Sequence, residues 1–441
     1  MNANEFTLKS IRKAAHLTNR VSAKMSHFSA RVEGKTTRLL SGIDMSVKVS
    51  KSTPLEKVYY ANIPFIKPVM PAMPAVGSKS TITIFLPTLD NGAFFGGIAT
   101  ALVVAAKFAL ASRRQLRVVQ TIKTGQHEDL SKFFLSEGID VSNLDIAITS
   151  VADRQYNIYG YIPMHPDDIF IASAWWDAYI INQLPINKFI YLIQDFEPIF
   201  YNNSDLYVLS EKTYRGNKFI PLCNTRLMYD FMRERKYPAF NRTSAYYFEP
   251  AVSRIDSGQL HKKSSIDKKR LFLFGRPNVH RNLFFSALNA IDIAIQKGFI
   301  DTSNYEFFMA GQDDLPDISL PSGVAVKNLG KMKMADYIDF SKTVDIAVSP
   351  MMAPHPNYPT LEFASIGTAV VTTKYANKQS LKEYSENIFM AEVEAESMAE
   401  AIKLAAKKSY GRKIDDIKNN NIGSSWNKSL DSVIKKILAE L

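Results

Sequence analysis

Asp345-Ile346-Ala347-Val348-Ser349-Pro350-Met351-Met352-Ala353-Pro354-His355-Pro356-Asn357-Tyr358-Pro359-Thr360-Leu361-Glu362-Phe363-Ala364 is the stretch on which the fold turns. Its apolar start, Asp345–Ser349, reads as a strand that feeds a proline-stiffened loop. The loop opens a helix expected from near Thr360 to Gly367, and Gly367-Thr368-Ala369-Val370-Val371-Thr372-Thr373 returns as a second strand. A helix N-terminus, with its free N–H groups and positive dipole end, is thereby set at the carboxyl edge of a parallel sheet. A diphosphate suits such a place. Glu362 is expected in the first helical turn, within reach of a ribose hydroxyl beside that diphosphate. Strand, turn, helix and acid at this spacing point to a nucleotide-sugar site.

Outward from this stretch, 441 residues suggest two domains of ordinary size with an appendage. An apolar content of 46% and an aromatic content of 11% are enough for real cores and argue against disorder. The single cysteine, Cys223, excludes a disulfide framework and a thiolate metal cluster, and fits a reducing cytoplasm. The first forty residues hold no unbroken apolar run of the secretory kind, so a cytoplasmic location is expected. Gly92–Ala111 is the nearest approach to a membrane span, but Lys107 interrupts it and the strand-like Thr81–Leu86 precedes it. A buried helix behind a glycine turn is the expectation.

The net charge of +11 is concentrated at one end: residues 1–80 carry thirteen Lys/Arg against four Asp/Glu. The remainder is nearly neutral, which argues against nucleic acid as a partner. Within this arm Ile11, Ala14, Leu17, Val21, Met25 and Phe28 form one apolar helical stripe, with Lys9, Arg12, Lys13, His16, Arg20, Lys24 and His27 opposite. Residues 8–28 therefore read as a basic amphipathic helix. It docks on an anionic membrane surface, on a partner enzyme, or on its own domain. The proline-rich residues 50–80 read as an irregular connector.

From residue 80 strands and helices alternate, as in βαβ units around a parallel sheet. Thr81–Leu86, Arg117–Gln120, Asp145–Thr149, Asp168–Ser173 and Phe189–Gln194 are the expected strands of a first domain. A polar, charged run between about Glu249 and Lys269 reads as the linker. Arg270–Gly275, Glu306–Ala310, Val324–Leu329 and Asp345–Ser349 continue the pattern in a second. Lys403–Trp426 reads as charged and uncompacted, and Ser429–Leu441 as a last amphipathic helix. The division expected is an arm and connector over 1–79, an acceptor domain over 80–255, a nucleotide-sugar domain over 256–410 and a helical tail over 411–441. Two doubly wound sheets would face their switch-point crevices to one another.

In this order the chain resembles the α/β GT-B glycosyltransferases, two facing Rossmann-like domains with parallel sheets, and more closely the WsaF-type rhamnosyltransferases. The resemblance rests on Gly96-Gly97-Ile98, on Gln194-Asp195-Phe196-Glu197-Pro198-Ile199-Phe200-Tyr201, and on Phe274-Gly275-Arg276-Pro277 with Arg281-Asn282-Leu283. Leu329-Gly330-Lys331 and Pro354–Glu362 complete it, over roughly residues 80–400 and outside the basic arm. It implies a dTDP-β-L-rhamnose donor, no metal and no cofactor beyond that donor, a growing cell-surface glycan as acceptor, and retention at the anomeric carbon. It also implies that Arg276 and Lys331 clamp the diphosphate, that Tyr358 lines the donor pocket and that Glu362 holds the ribose. The chemistry agrees, since cations just past strand ends can take up the charge of a leaving diphosphate. No Asp-x-Asp triplet occurs in the sequence. Many retaining GT-B enzymes carry a second glutamate eight residues before the helix one. Here that position is Pro354, with His355 beside it.

Each candidate has a plainer alternative. Glu362 also fits an ordinary helix glutamate favoured by the dipole, Lys331 a surface lysine, and Tyr358 a loop anchor; Arg281 competes with Arg276. Asp195 and Glu197 end an apolar strand on the acceptor side, where either could orient or deprotonate a hydroxyl, or merely cap the next turn. Gly97 lets backbone approach the substrate. His355 is a catalytic or sugar-contacting candidate, whereas His165 and His280 lack metal-ligand spacing. Trp175-Trp176 offer one ring to a sugar and one to the core.

An NAD-dependent oxidoreductase is disfavoured, because Gly92-Ala93-Phe94-Phe95-Gly96-Gly97 does not spell G-x-G-x-x-G and no acid ends the next strand. A UDP- or GDP-sugar transferase and a GT-B-fold sugar-nucleotide epimerase share the donor site. A membrane-associated scaffold of a glycan-assembly complex is the non-enzymatic alternative.

Overall fold

The computed structural model describes residues 54–90, 96–125, 129–156, 159–252, 268–409 and 420–441. The basic stretch 8–28 and residues 253–267 of the expected linker lie outside them. The first sheet has seven parallel strands in the spatial order Ile146–Ser150, Gln115–Gln120, Thr81–Leu86, Ile169–Ala172, Phe189–Ile193, Phe219–Asn224, Tyr246–Phe248. Its central strands are buried at every position, which is why they read as unbroken apolar runs rather than as alternation.

The second sheet orders Ile318–Ser319, Ala325–Asn328, Tyr305–Ala310, Lys269–Phe274, Ile346–Val348, Ala369–Thr373 and Ile388–Ala391, parallel except for its first pair. In each sheet the chain order reverses beside the first strand: between Thr81–Leu86 and Ile169–Ala172, and between Lys269–Phe274 and Ile346–Val348. Those reversals open a crevice at the carboxyl ends of the strands. The expected buried helix is present as Gly96–Ser112. Among the described residues no helix is long and apolar enough to cross a membrane.

Three segments differ from their sequence reading. Residues 59–72 pack on the first domain while 73–79 stay mostly exposed: helix Leu55–Asn62 leads to strand Met70–Ala72, which pairs in parallel with Tyr161–Pro163. Prolines broke the periodicity there, but Ile66 and Val69 are buried. Arg154, 1% exposed, ties the segment down by donating to the carbonyls of Phe65 at 2.6 Å and Lys67 at 2.9 Å, and also donates to those of Val151 at 3.1 Å and Thr121.

The supposedly uncompacted Lys403–Trp426 begins inside a helix, Ala395–Ser409, whose Met398, Ala399, Ala401, Ile402, Ala405 and Ala406 are buried. Its lysines occupy the outer stripe; residues 410–419 lie outside the described residues. The last helix, Trp426–Leu438, is not an independent tail but packs on Gly96–Ser112, with Trp426, Leu430, Val433, Ile434 and Ile437 in the core of the first domain. Lys107, which breaks the apolar run of Gly96–Ser112, pairs there with Asp431 at 2.6 Å and donates to Asn427 at 2.7 Å.

Candidate functional site

The two crevices share one cavity of about 560 Å³, ordinary for a small-ligand site. All eight residues proposed from sequence line it: Gly97, Asp195, Glu197, Arg276, Lys331, His355, Tyr358 and Glu362. Topology accounts for this convergence. Gly97 follows the first strand of its sheet, Asp195 and Glu197 follow Phe189–Ile193, Arg276 follows Lys269–Phe274, and Lys331 follows Ala325–Asn328. His355, Tyr358 and Glu362 follow Ile346–Val348. Trp176, Gln194, Phe200 and Arg281 complete much of the wall.

The helix after the proline-rich loop spans Tyr358–Ser365, two residues earlier than expected. Pro359 sits at its second position, where a missing N–H costs no hydrogen bond. Glu362 therefore lies in the second turn, not the first, and its carboxylate accepts from the Tyr337 hydroxyl at 2.8 Å. The Tyr358 hydroxyl reaches across to the first domain, bonding the Thr100 hydroxyl and accepting from Asn224 Nδ2 at 3.0 Å. Tyr358 is thus both a cavity wall and a bridge between the domains.

Asp195, 8% exposed, faces Arg281 Nε of the other domain at 3.3 Å. The Arg281 guanidinium lies 4.1 Å from the Phe200 ring centroid. Burial raises the Asp195 carboxyl pKa, and the Arg281 cation opposes that rise. Glu197 Oε2 accepts the Trp175 backbone N–H at 2.5 Å. Burial, aided by the nearby Asp177 and Asp195 carboxylates, pushes Glu197 up to about 8 against that hydrogen bond. The folded protein thus holds a proton that the unfolded chain releases above its ordinary value of 4.5. The resulting stabilisation is full below that value and declines as pH rises toward 8. Glu197→Gln is expected to flatten this slope, so that its urea midpoint relative to the unsubstituted protein rises between pH 5 and 8.

Arg276 opens onto the cleft, and its pKa is lowered by the packing around its guanidinium and then by Arg281. Lys331 is exposed at the rim; its backbone N–H donates to Asp313 Oδ1 at 2.6 Å. Gly330 before it has φ +68, and a Cβ there would sit 2.8 Å from the same Asp313 oxygen. Gly330→Ala is expected to lose about 1–2 kcal/mol in a denaturant melt and to weaken donor binding by displacing Lys331.

Of the paired tryptophans, Trp175 is fully buried and donates Nε1–H to the Tyr201 hydroxyl at 2.9 Å, whereas Trp176 lines the cavity. Gln194, quoted in the sequence reading only as part of a longer segment, donates Nε2–H to the Gly97 carbonyl at 2.8 Å. Lys378, which sequence reasoning passed over, is fully buried behind the proline-rich loop. No spacing marks it out; only the pairing of Tyr375 with Lys378 turns it inward. His165 and His280 do not line the cavity. Among the described residues no group of three His, Cys, Asp or Glu side chains is placed to hold a metal ion.

Sheet order and the shared crevice define the class of fold, GT-B, with two facing Rossmann-like domains. The chain belongs to the WsaF family: residues 81–226 match its N-terminal domain and residues 269–403 its C-terminal domain. It is 29% identical over 228 residues to the O-antigen biosynthesis protein RfbC of Myxococcus xanthus, a match covering 51% of this chain and 17% of that protein. The chain therefore spans less than a fifth of that relative.

The fold is similar to that of sucrose-phosphate synthase from Thermosynechococcus elongatus, with a TM-score of 0.54 and 9% identity over 82% of this chain and 98% of that one. WaaG, a glycosyltransferase involved in lipopolysaccharide biosynthesis, superposes with a TM-score of 0.53 and 12% identity over 80% and 99%. HepE of Anabaena in complex with UDP-glucose does so with a TM-score of 0.52 and 12% identity over 82% and 100%.

Proposed function

We propose that the protein transfers a deoxyhexose, L-rhamnose, from a dTDP-sugar to a hydroxyl of a cell-surface glycan precursor, without a metal and with retention. The observation that carries this reading is the convergence of Arg276, Arg281 and Lys331 with Glu362 at the carboxyl edge of the second sheet, opposite Asp195 and Glu197 of the first. The cations take up the charge of the departing diphosphate. Glu362 holds the ribose. The bond from the anomeric carbon to the diphosphate oxygen breaks as that from the acceptor oxygen forms on the same face. The acceptor proton passes to the departing oxygen, because Asp195 is paired with Arg281 and Glu197 is protonated near neutrality. Closure around Tyr358 excludes water.

The acceptor is a lipid-linked or oligosaccharide glycan, a reading supported by the likeness to an O-antigen biosynthesis protein of Myxococcus xanthus. The basic stretch 8–28 holds the enzyme at the inner face of the membrane, in the cytoplasm. A UDP-sugar donor is the second reading, favoured by the UDP-glucose bound to HepE. Calorimetry of the metal-free protein against dTDP, UDP, GDP, NAD and dTDP-L-rhamnose tests both. Tight dTDP binding in EDTA is expected. Preference for UDP or GDP overturns the rhamnose donor, and binding of none leaves the scaffold reading.

A further inference from the structure

The loop between Ile346–Val348 and Tyr358–Ser365 carries a buried polar atom that the transfer reaction above does not use. His355 is 3% exposed and lines the cavity. Its Nδ1 accepts the backbone N–H of Asn357 at 2.9 Å. A nitrogen that accepts carries no proton, so the neutral ring keeps its proton on Nε2. Nε2 is buried and has no partner among the described residues. An N–H donor left unmet away from water carries a desolvation cost that a ligand oxygen in the cavity would remove.

The loop is pinned so that the ring cannot turn away. Asn357, at φ +77, donates Nδ2–H to Ser349 Oγ at 2.7 Å. The Met351 N–H donates to Thr373 Oγ1 at 2.9 Å. Lys378, fully buried, donates Nζ–H to the carbonyls of Met351 at 3.0 Å and His355 at 3.4 Å. Burial, then the Lys378 and Arg281 cations, hold the imidazole pKa down at about 3, so no imidazolium forms near neutrality. A ring whose Nδ1 lone pair is taken and whose Nε2 bears the proton cannot serve as a base.

We propose that His355 is a fixed, neutral hydrogen-bond donor to an oxygen of the nucleotide-sugar, and that Lys378 is the residue that positions it. The inference rests on the donor site proposed above. That oxygen belongs to a hydroxyl of the sugar ring or to the diphosphate, and both present the same acceptor chemistry.

Two measurements on the full chain test it. Nitrogen NMR of histidine-labelled protein, with the His355 signal assigned by its loss in His355→Gln, is expected to show the Nε2–H tautomer unchanged from pH 5 to 8. A signal that titrates near the ordinary value of 6.5 overturns the assignment. In calorimetry with dTDP, UDP, dTDP-L-rhamnose and UDP-glucose, His355→Phe is expected to weaken the bound probe by about tenfold, with partial recovery in His355→Gln. Loss confined to the nucleotide-sugars identifies a sugar hydroxyl, and equal loss for the free nucleotides a diphosphate oxygen. Unchanged affinity for every probe overturns the proposal. Failure of the unsubstituted protein to bind any probe instead overturns the donor site, while the nitrogen spectrum still reports the state of His355. Lys378→Met is expected to loosen the loop and replace the single Nε2–H tautomer of His355 with a mixture of the two; an unchanged spectrum, even with a lowered melting temperature, overturns the positioning role.

Discussion

Replacing Arg276 with alanine is expected to lower kcat/KM for sugar transfer by about 10²–10³-fold while leaving the melting temperature nearly unchanged. The argument starts from charge. Arg276 and Arg281 share one cleft, and among the described residues only Arg281 has a carboxylate partner, Asp195 at 3.3 Å. Two like charges in one cavity repel, and the Arg276 pKa is lowered first by burial and then by the Arg281 cation. An arriving diphosphate relieves that repulsion, and its charge grows as the bond to the sugar breaks. Arg276 should therefore contribute more to the transition state than to the ground state, and the loss should fall mainly on kcat. Arg276→Lys should recover little, because an ammonium cannot make the paired planar contact of a guanidinium. Steady-state kinetics beside dTDP calorimetry would check this; a kcat/KM within threefold of the unsubstituted enzyme would remove Arg276 from the donor site.

Arg154→Ala is the second large effect, and it concerns stability: about 3–5 kcal/mol should be lost in a urea melt of the first domain. Arg154 is 1% exposed and satisfies four backbone carbonyls, two of them in the segment that leads into strand Met70–Ala72. Its pKa, drawn down to about 10 by burial and partly restored by Asp177, still leaves it charged at neutrality. Truncation empties a side-chain volume and leaves those carbonyls without donors. A loss below about 1 kcal/mol would show that water replaces the guanidinium there.

The sheets were legible because strands buried on both faces leave unbroken apolar runs between turn residues, as in Thr81–Leu86 and Ile169–Ala172. The site was legible for a related reason. In a doubly wound sheet the residues just past the strands converge, so the family resemblance and strand-end position both place Asp195, Arg276, Lys331 and His355 at one cavity. What could not be read depends on contacts between distant segments. Strand Met70–Ala72 is defined by its pairing with Tyr161–Pro163, and its own Pro71 argues against it. The cross-domain bond of the Tyr358 hydroxyl to Asn224 joins positions 134 residues apart, and the sequence of neither domain announces it. Lys403–Ser409 reads as charged and uncompacted, yet it closes helix Ala395–Ser409, whose lysines occupy one stripe. Glu362 illustrates a smaller failure: a two-residue shift in a helix start moves an acid from the first turn to the second.

The return of helix Trp426–Leu438 to the first domain sets the timetable of synthesis. Strand Tyr246–Phe248 completes the first sheet, yet Ile437 belongs to the same core. At ordinary translation rates the nearly two hundred residues between them take roughly 10–40 s to emerge. During that interval the flank of helix Gly96–Ser112 that later receives Trp426, Leu430 and Ile434 is exposed on the ribosome-bound chain. The domain begun first is thus finished last, after the second domain has left the exit tunnel. A released chain truncated before Trp426 should therefore yield a folded second domain beside a protease-sensitive first one.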